Sequence, residues 1–311
     1  MDVKKIIAAA LWAMGLYLFP IVREIAGPFA PVPLIILYVR SGRHDGLSAI
    51  GLSTAVIFML AGRQTPFILF LGLGLMAIGA AEGMLKRFKP ENTVLLAGML
   101  PVALFSLVAT FIFAKSGANP VTALEDFFRL AIDEWVKIYT VMGLKETADA
   151  VQAFSVPLIY YLVRLFPAIV IVFAVVQAAL CYGLARWLII RREGPASGPA
   201  QTSFAGWHAP DAWVWGLIST LALMVMPSHT VRLVGLNLIV LFFVVYTIQG
   251  MALLEYLLKR VSIPALARGF ILALILPLLI VFVTALGVVD IWADFLKVRA
   301  GEQGTGDATR L

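Results

Sequence analysis

Polar side chains inside apolar runs are the residues of this chain with chemistry to offer, because in lipid each one needs a partner or a water-filled cavity. Gln177 lies about midway between Arg164 and Arg191, with no local group to satisfy it. Asn237 and Gln249 share one apolar segment but stand about 18 Å apart along a helix, so they serve a common ligand only if it is long. Carboxamides so placed can line a pocket for a small polar solute, or can tie helices together at about 0.6 kcal/mol per bond on average. Arg164 precedes Pro167 at the expected outer end of its segment, where it either snorkels outward or meets an anionic ligand. Glu82 and Glu255 each stand four residues before a lysine, Lys86 and Lys259, and are expected to form interfacial ion pairs with them.

Catalytic chemistry has no comparable footing, so the chain is not expected to be an enzyme. His44, His208 and His229 are the three histidines, and none pairs by spacing with a serine or cysteine nucleophile motif. The patterns G-x-S-x-G and H-E-x-x-H and a phosphate-cradling glycine loop are absent from the sequence. His208 has no second His, Cys or acid at ligand spacing, so neither a metal nor any other cofactor is expected. Cys181 is the single cysteine, which excludes an internal disulfide and reads as a small packing residue.

The elements that must hold these groups are transmembrane helices. Apolar residues make up 61% of the 311-residue chain and charged ones 14%, a balance far from that of a soluble domain. At about 20 residues per hydrocarbon crossing, nine spans are expected: Ile6 to Val22, Ile25 to Val39, Gly46 to Ala61, Pro66 to Leu85, Val94 to Ala114, Leu165 to Ile190, Ala212 to Met226, Leu233 to Leu258 and Gly269 to Val289. Pro28, Pro31 and Pro33 make the first half of the second span extended or re-entrant, which would leave eight crossings. Thirteen Lys and Arg fall in the loops of one side and three in the short loops of the other. That asymmetry predicts a multi-pass protein of the cytoplasmic membrane with its N-terminus inside. The net charge of +6 is spread over those loop ends, so no nucleic-acid partner is expected. Gly79-x-x-x-Gly83 offers a surface for close helix contact.

Between the fifth and sixth spans a pattern predicts an external amphipathic helix over 120–142, capped by Asn119 and Pro120 and ended by Gly143. Leu124, Phe128, Ala131, Trp135, Ile138 and Met142 form its apolar stripe. Glu125, Arg129, Asp133 and Lys137, at steps of four with alternating sign, form an exposed ladder of pairs. The helix is expected either to lie on the membrane and cover the bundle or to act as a lid or docking element. Residues 191–211 read as a flexible cytoplasmic linker between a six-helix half (1–190) and a three-helix half (212–295), with a disordered tail at 296–311. The two halves are expected to form one membrane domain. Phe204, Trp207, Trp213 and Trp215 read as interfacial anchors.

Asn237-Leu238, Tyr246, Gln249 and Gly250, followed by Gly287, Asp290, Trp292, Asp294 and Phe295, resemble the YybS-like family of uncharacterised bacterial membrane proteins. That family usually carries an arginine directly after the phenylalanine, where this chain has Leu296 and then Lys297. The family is in turn distantly similar to the substrate-binding S subunits of energy-coupling-factor transporters. That similarity implies a helical bundle with an outward-opening pocket, and a small-residue motif on the first helix that packs against a coupling subunit. Ala9-x-x-x-Ala13 matches such a motif. Two readings follow. In the first, the chain is transporter-like and binds a small polar solute through Gln177, Asn237, Gln249 and Arg164. In the second, it is an envelope scaffold whose loops and amphipathic helix dock protein partners; Ala9, Ala13 and Trp135 are the candidate contacts with a membrane-protein partner, a coupling subunit or an envelope protein. Glutamines facing a water-filled cavity favour the first, and glutamines bonded within a closed core favour the second.

Overall fold

The computed structural model describes residues 27–61, 70–194 and 204–293, together with Lys4, Ile7, Ala8, Leu11 and Trp12. Ala9, Ala13, Asp294 and the 296–311 tail lie outside the described residues. Among those described, the chain is all-helical, in keeping with a helical membrane bundle. It forms two compact units, Met1–Gln201 and Thr202–Leu311, whose boundary falls in the expected linker.

The first unit opens with a 3-10 turn, Gly27–Phe29, and helix α1, Pro31–Ser41. Proline at the first helical position loses a donor that would be unpaired there anyway, so the proline-rich stretch starts a helix instead of excluding one. Eleven residues rise only about 16 Å, roughly half the hydrocarbon thickness, so α1 is too short to cross. Helix α2, Arg43–Ala61, follows. A π-helical turn, Phe70–Gly74, leads into α3, Leu75–Leu85. Helix α4 is Pro90–Ser116. The small residues of the Gly79-x-x-x-Gly83 motif set the spacing of α3 on α4: a Cβ on Gly79 would lie 2.8 Å from Ala97 Cα, and one on Gly83 would lie 2.8 Å from Thr93 Oγ1. Ile35, Tyr38, Ala77, Ala80 and Ala81 fill the core beneath.

Helix α5, Pro120–Val141, begins where the sequence places it: Asn119 Oδ1 accepts the Val121 amide at 2.9 Å, and Gly143 ends the segment at φ +79°. Helix α6 departs from expectation. It is expected to start at Leu165, yet it runs without interruption over Lys145–Glu193, through Pro157 and Pro167. Its 49 residues rise about 74 Å, more than twice the hydrocarbon thickness. The added N-terminal half persists because Ala148, Ser155, Ile159 and Val163 recur at helical steps and are buried. Helix α5 packs along this half through Leu124, Phe128, Ile132 and Val136, an unbroken row of four-residue steps. The predicted stripe is therefore only half right. Trp135, Ile138 and Met142 stay exposed, Trp135 at 56%.

The second unit contains a 3-10 turn, Phe204–Gly206, and helices α7, Trp213–Val225, α8, His229–Arg260, and α9, Ala265–Ala293. Pro277 precedes a break in α9, where Leu279 leaves helical geometry. The expected linker 191–211 is corrected at both ends: α6 continues to Glu193, and residues 204–209 pack with Ala205 and Ala209 buried. Helices α4, α6, α8 and α9 are long and apolar enough to cross a membrane, and Gly72–Leu85 and Trp213–Val225 are shorter apolar helices.

Candidate functional site

Two groups of polar residues are held by this scaffold, one embedded and one in the α5–α6 hairpin. Gln177 Nε2 donates to Pro28 O at 3.1 Å, and Cys181 Sγ donates to the same oxygen at 3.2 Å. That carbonyl belongs to the 3-10 turn ahead of α1, so the irregular backbone finds its donors on α6. In the second unit Gln249 is 2% exposed, and both ends of its amide are engaged. Its Oε1 accepts the Ala209 amide at 3.3 Å, and its Nε2 donates to Asp290 Oδ2 at 3.2 Å. Asp290 is 3% exposed. Beside them the Thr247 and Thr284 hydroxyls meet at 2.6 Å. Asn237 donates to Leu233 O of its own helix at 2.9 Å. Gln177 belongs to one unit, and Asn237 and Gln249 to the other.

The motif glycines explain how Gln249 reaches Asp290. A Cβ on Gly250 would overlap Val283 O, and one on Gly287 would overlap Tyr246 O and lie 2.8 Å from Gly250 N. Only hydrogen fits at either position, so α8 and α9 touch backbone to backbone. Gly250, Gly287 and Asp290 are thus brought together, whereas Trp292 lies 67% exposed and takes no part.

Both predicted interfacial pairs acquire a stronger partner from another element. Glu82 accepts from Arg43 Nε at 2.6 Å, Arg43 Nη2 at 2.9 Å and Tyr38 Oη at 2.9 Å, while Lys86 stands at 3.9 Å. The fork of a guanidinium matches both carboxylate oxygens, which an ammonium cannot do. Hydrogen bonding to Glu82 raises the Arg43 pKa further. Glu255 likewise lies 3.0 Å from Arg268 Nε and 3.7 Å from Lys259.

The hairpin holds a groove of about 380 Å³ between α5 and the N-terminal half of α6. Glu125, Arg129, Ile132 and Asp133 line it from α5. Gln152, Ser155, Val156, Ile159 and Tyr160 line it from α6. Ser155 Oγ is tied to Gln152 O at 2.7 Å. Arg164 covers the Tyr160 ring, its guanidinium carbon 3.4 Å from the centroid, and donates Nη1 to Tyr160 O at 3.1 Å. The predicted ladder does not close: among the described residues the pair that forms on α5 is Lys137 with Glu134 at 2.8 Å, and this bond raises the lysine's pKa. Glu125, Arg129 and Asp133 border the groove with no ion pair to one another. The α6 side of the groove falls outside the span that hydropathy places at Leu165 to Ile190. The signal that could have found it is the recurrence of Ala148, Ser155, Ile159 and Val163.

Among the described residues no group of three or more His, Cys, Asp or Glu is placed to hold a metal ion. No curated protein and no solved structure matches the chain. Residues 6–291 match the family described as Predicted membrane protein (DUF2232), and the chain belongs to that family.

Proposed function

We propose that this membrane protein is a non-catalytic binding protein whose solute site is the α5–α6 groove and not a pocket around the embedded amides. The observation that carries the reading is the division of polar groups. Gln177 and Gln249 are engaged inside the protein, whereas Glu125, Arg129 and Asp133 border an open groove. Its volume falls in the range of small-molecule sites, and its buried floor of Ile132 and Ile159 is apolar beneath a polar edge. In this reading the bundle is an anchor in the cytoplasmic membrane, with the N-terminus inside and the hairpin outside. The bonds of Gln177 to Pro28 O and of Gln249 to Ala209 and Asp290 support packing roles for both glutamines.

The test uses the full chain in detergent, with thermal unfolding followed in fractions of a small-metabolite extract. Stabilisation of the wild type that is lost in Gln152→Trp, which fills the groove from its rim, is the expected result. Equal response of the two proteins overturns the reading.

A second reading, partner docking, is favoured by the apolar side chains of α5 that stay exposed. Phe127, Leu130, Trp135 and Val141 are among them. An apolar surface of this size suits lipid or another protein. Capture of one membrane protein by the wild type and not by Leu130→Glu supports docking, and unchanged capture dismisses it.

A further inference from the structure

We infer that the ligand of the α5–α6 groove is a dibasic amino acid, a zwitterion carrying a second cation on its side chain; the inference rests on the solute-binding reading of that groove. Glu125, Arg129 and Asp133 follow one another at steps of four, each rising roughly 6 Å, and present the order negative, positive, negative along one wall. On an isolated helix such charges pair with each other. Here they do not. Lys137, which would neutralise Asp133, is bonded to Glu134 instead. Glu125 and Asp133 are half-buried, whereas Arg129 is exposed. The two carboxylates are thus part-buried and neither makes an ion pair among the described residues, so each is open to a cation brought by a ligand.

The sign pattern selects among ligands. Two carboxylates and one guanidinium leave the wall one negative charge in excess, and a dibasic amino acid carries one positive charge in excess. Its carboxylate meets the Arg129 fork and its α-ammonium meets Glu125. Its aliphatic chain crosses the buried Ile132 and Ile159, and its terminal cation reaches Asp133, one turn further on. A neutral amino acid leaves Asp133 unmatched, a diamine leaves Arg129 facing like charge, and a dicarboxylate is repelled at both acids. Discrimination of this kind comes from matched opposite charges in the right ligand and like charges brought together in the wrong one.

The experiment is calorimetric titration of the full-length protein in detergent with L-arginine and L-lysine, and with two analogues that each lack one charge. L-Citrulline lacks the side-chain cation and agmatine lacks the carboxylate. The wild type is expected to bind arginine at least tenfold more tightly than either analogue. Asp133→Asn should abolish the preference over citrulline, and Arg129→Gln the preference over agmatine. The wild-type comparison needs no variant, so a variant that fails to fold does not rescue the inference. Equal binding of arginine and citrulline overturns it. If neither dibasic acid binds while extract still stabilises the wild type and not Gln152→Trp, the ligand class is wrong and the groove reading stands. If extract fails as well, both fall.

Discussion

Alanine at Gly287 and alanine at Gly269 are the same change in the same helix, and the structure requires them to differ in sign. At Gly269 a Cβ meets nothing within 4 Å, so the substitution only trades glycine for a better helix former, a gain of up to about 1 kcal/mol. At Gly287 the new Cβ would lie 2.8 Å from Gly250 N, inside the 3.4 Å at which contact becomes ordinary, and closer still to Tyr246 O. Both neighbours are backbone, so no rotamer change relieves the overlap and α8 and α9 must separate. Overpacking of this kind costs about 1 to 3 kcal/mol. Separation also weakens the Thr247–Thr284 and Gln249–Asp290 bonds, at about 0.6 kcal/mol each. Set against the same propensity gain of up to about 1 kcal/mol, the net loss expected for Gly287→Ala is about 1 to 4 kcal/mol. Reversible unfolding in mixed micelles, followed by helical circular dichroism, measures both variants. A Gly287→Ala protein as stable as Gly269→Ala would refute the backbone contact on which the second unit's polar pairing depends.

Gln249→Leu removes the hydrogen bonds that its amide makes with the Ala209 amide and the Asp290 carboxylate. It is expected to destabilise by about 1 to 3 kcal/mol in the same unfolding assay. Asn119→Ala removes the cap of α5 at a cost of about 1 kcal/mol, read as faster amide hydrogen exchange in its first turn with α8 unchanged. Arg43→Ala should lower the melting temperature more than Lys86→Ala, because Arg43 makes two bonds to Glu82 and Lys86 stands at 3.9 Å. In a Cys181→Ala background, a cysteine in place of Lys145 is expected to react with an impermeant maleimide on intact cells. One in place of Val261 should react only after permeabilisation, and the reverse pattern would invert the topology.

Legibility in the sequence followed the range of the interaction concerned. The boundaries of α5 were readable because Asn119, Pro120 and Gly143 act on the backbone within a few residues of themselves. The helical class followed from hydropathy, since lipid forces each crossing to satisfy its own backbone. The start of α6 was not readable. A local rule ends a helix near Pro157 or Pro167, and packing against α5, which no local pattern encodes, overrides it. Partner choice failed in the same way. Lys86 and Lys259 were near in sequence, while Arg43 and Arg268 came from other elements with better geometry. On the candidate groove the sequence supplied three charges of α5. It gave no indication that they would stay unpaired, because that depends on Lys137 turning to Glu134.

The unbroken course of Lys145–Glu193 makes one chain segment serve as both groove wall and membrane crossing. Its N-terminal half packs on α5, and Arg191 and Arg192 stand at its other end. The axis is carried on the close approach of Gly98 to Val175, where a Cβ would meet the opposite Cα at 3.0 Å. Pro157 and Pro167 are the points at which this helix can bend, since each lacks the amide that would lock its turn. One helix thus carries both the groove wall and a segment apolar enough to cross a membrane, with its two prolines on the stretch that joins them.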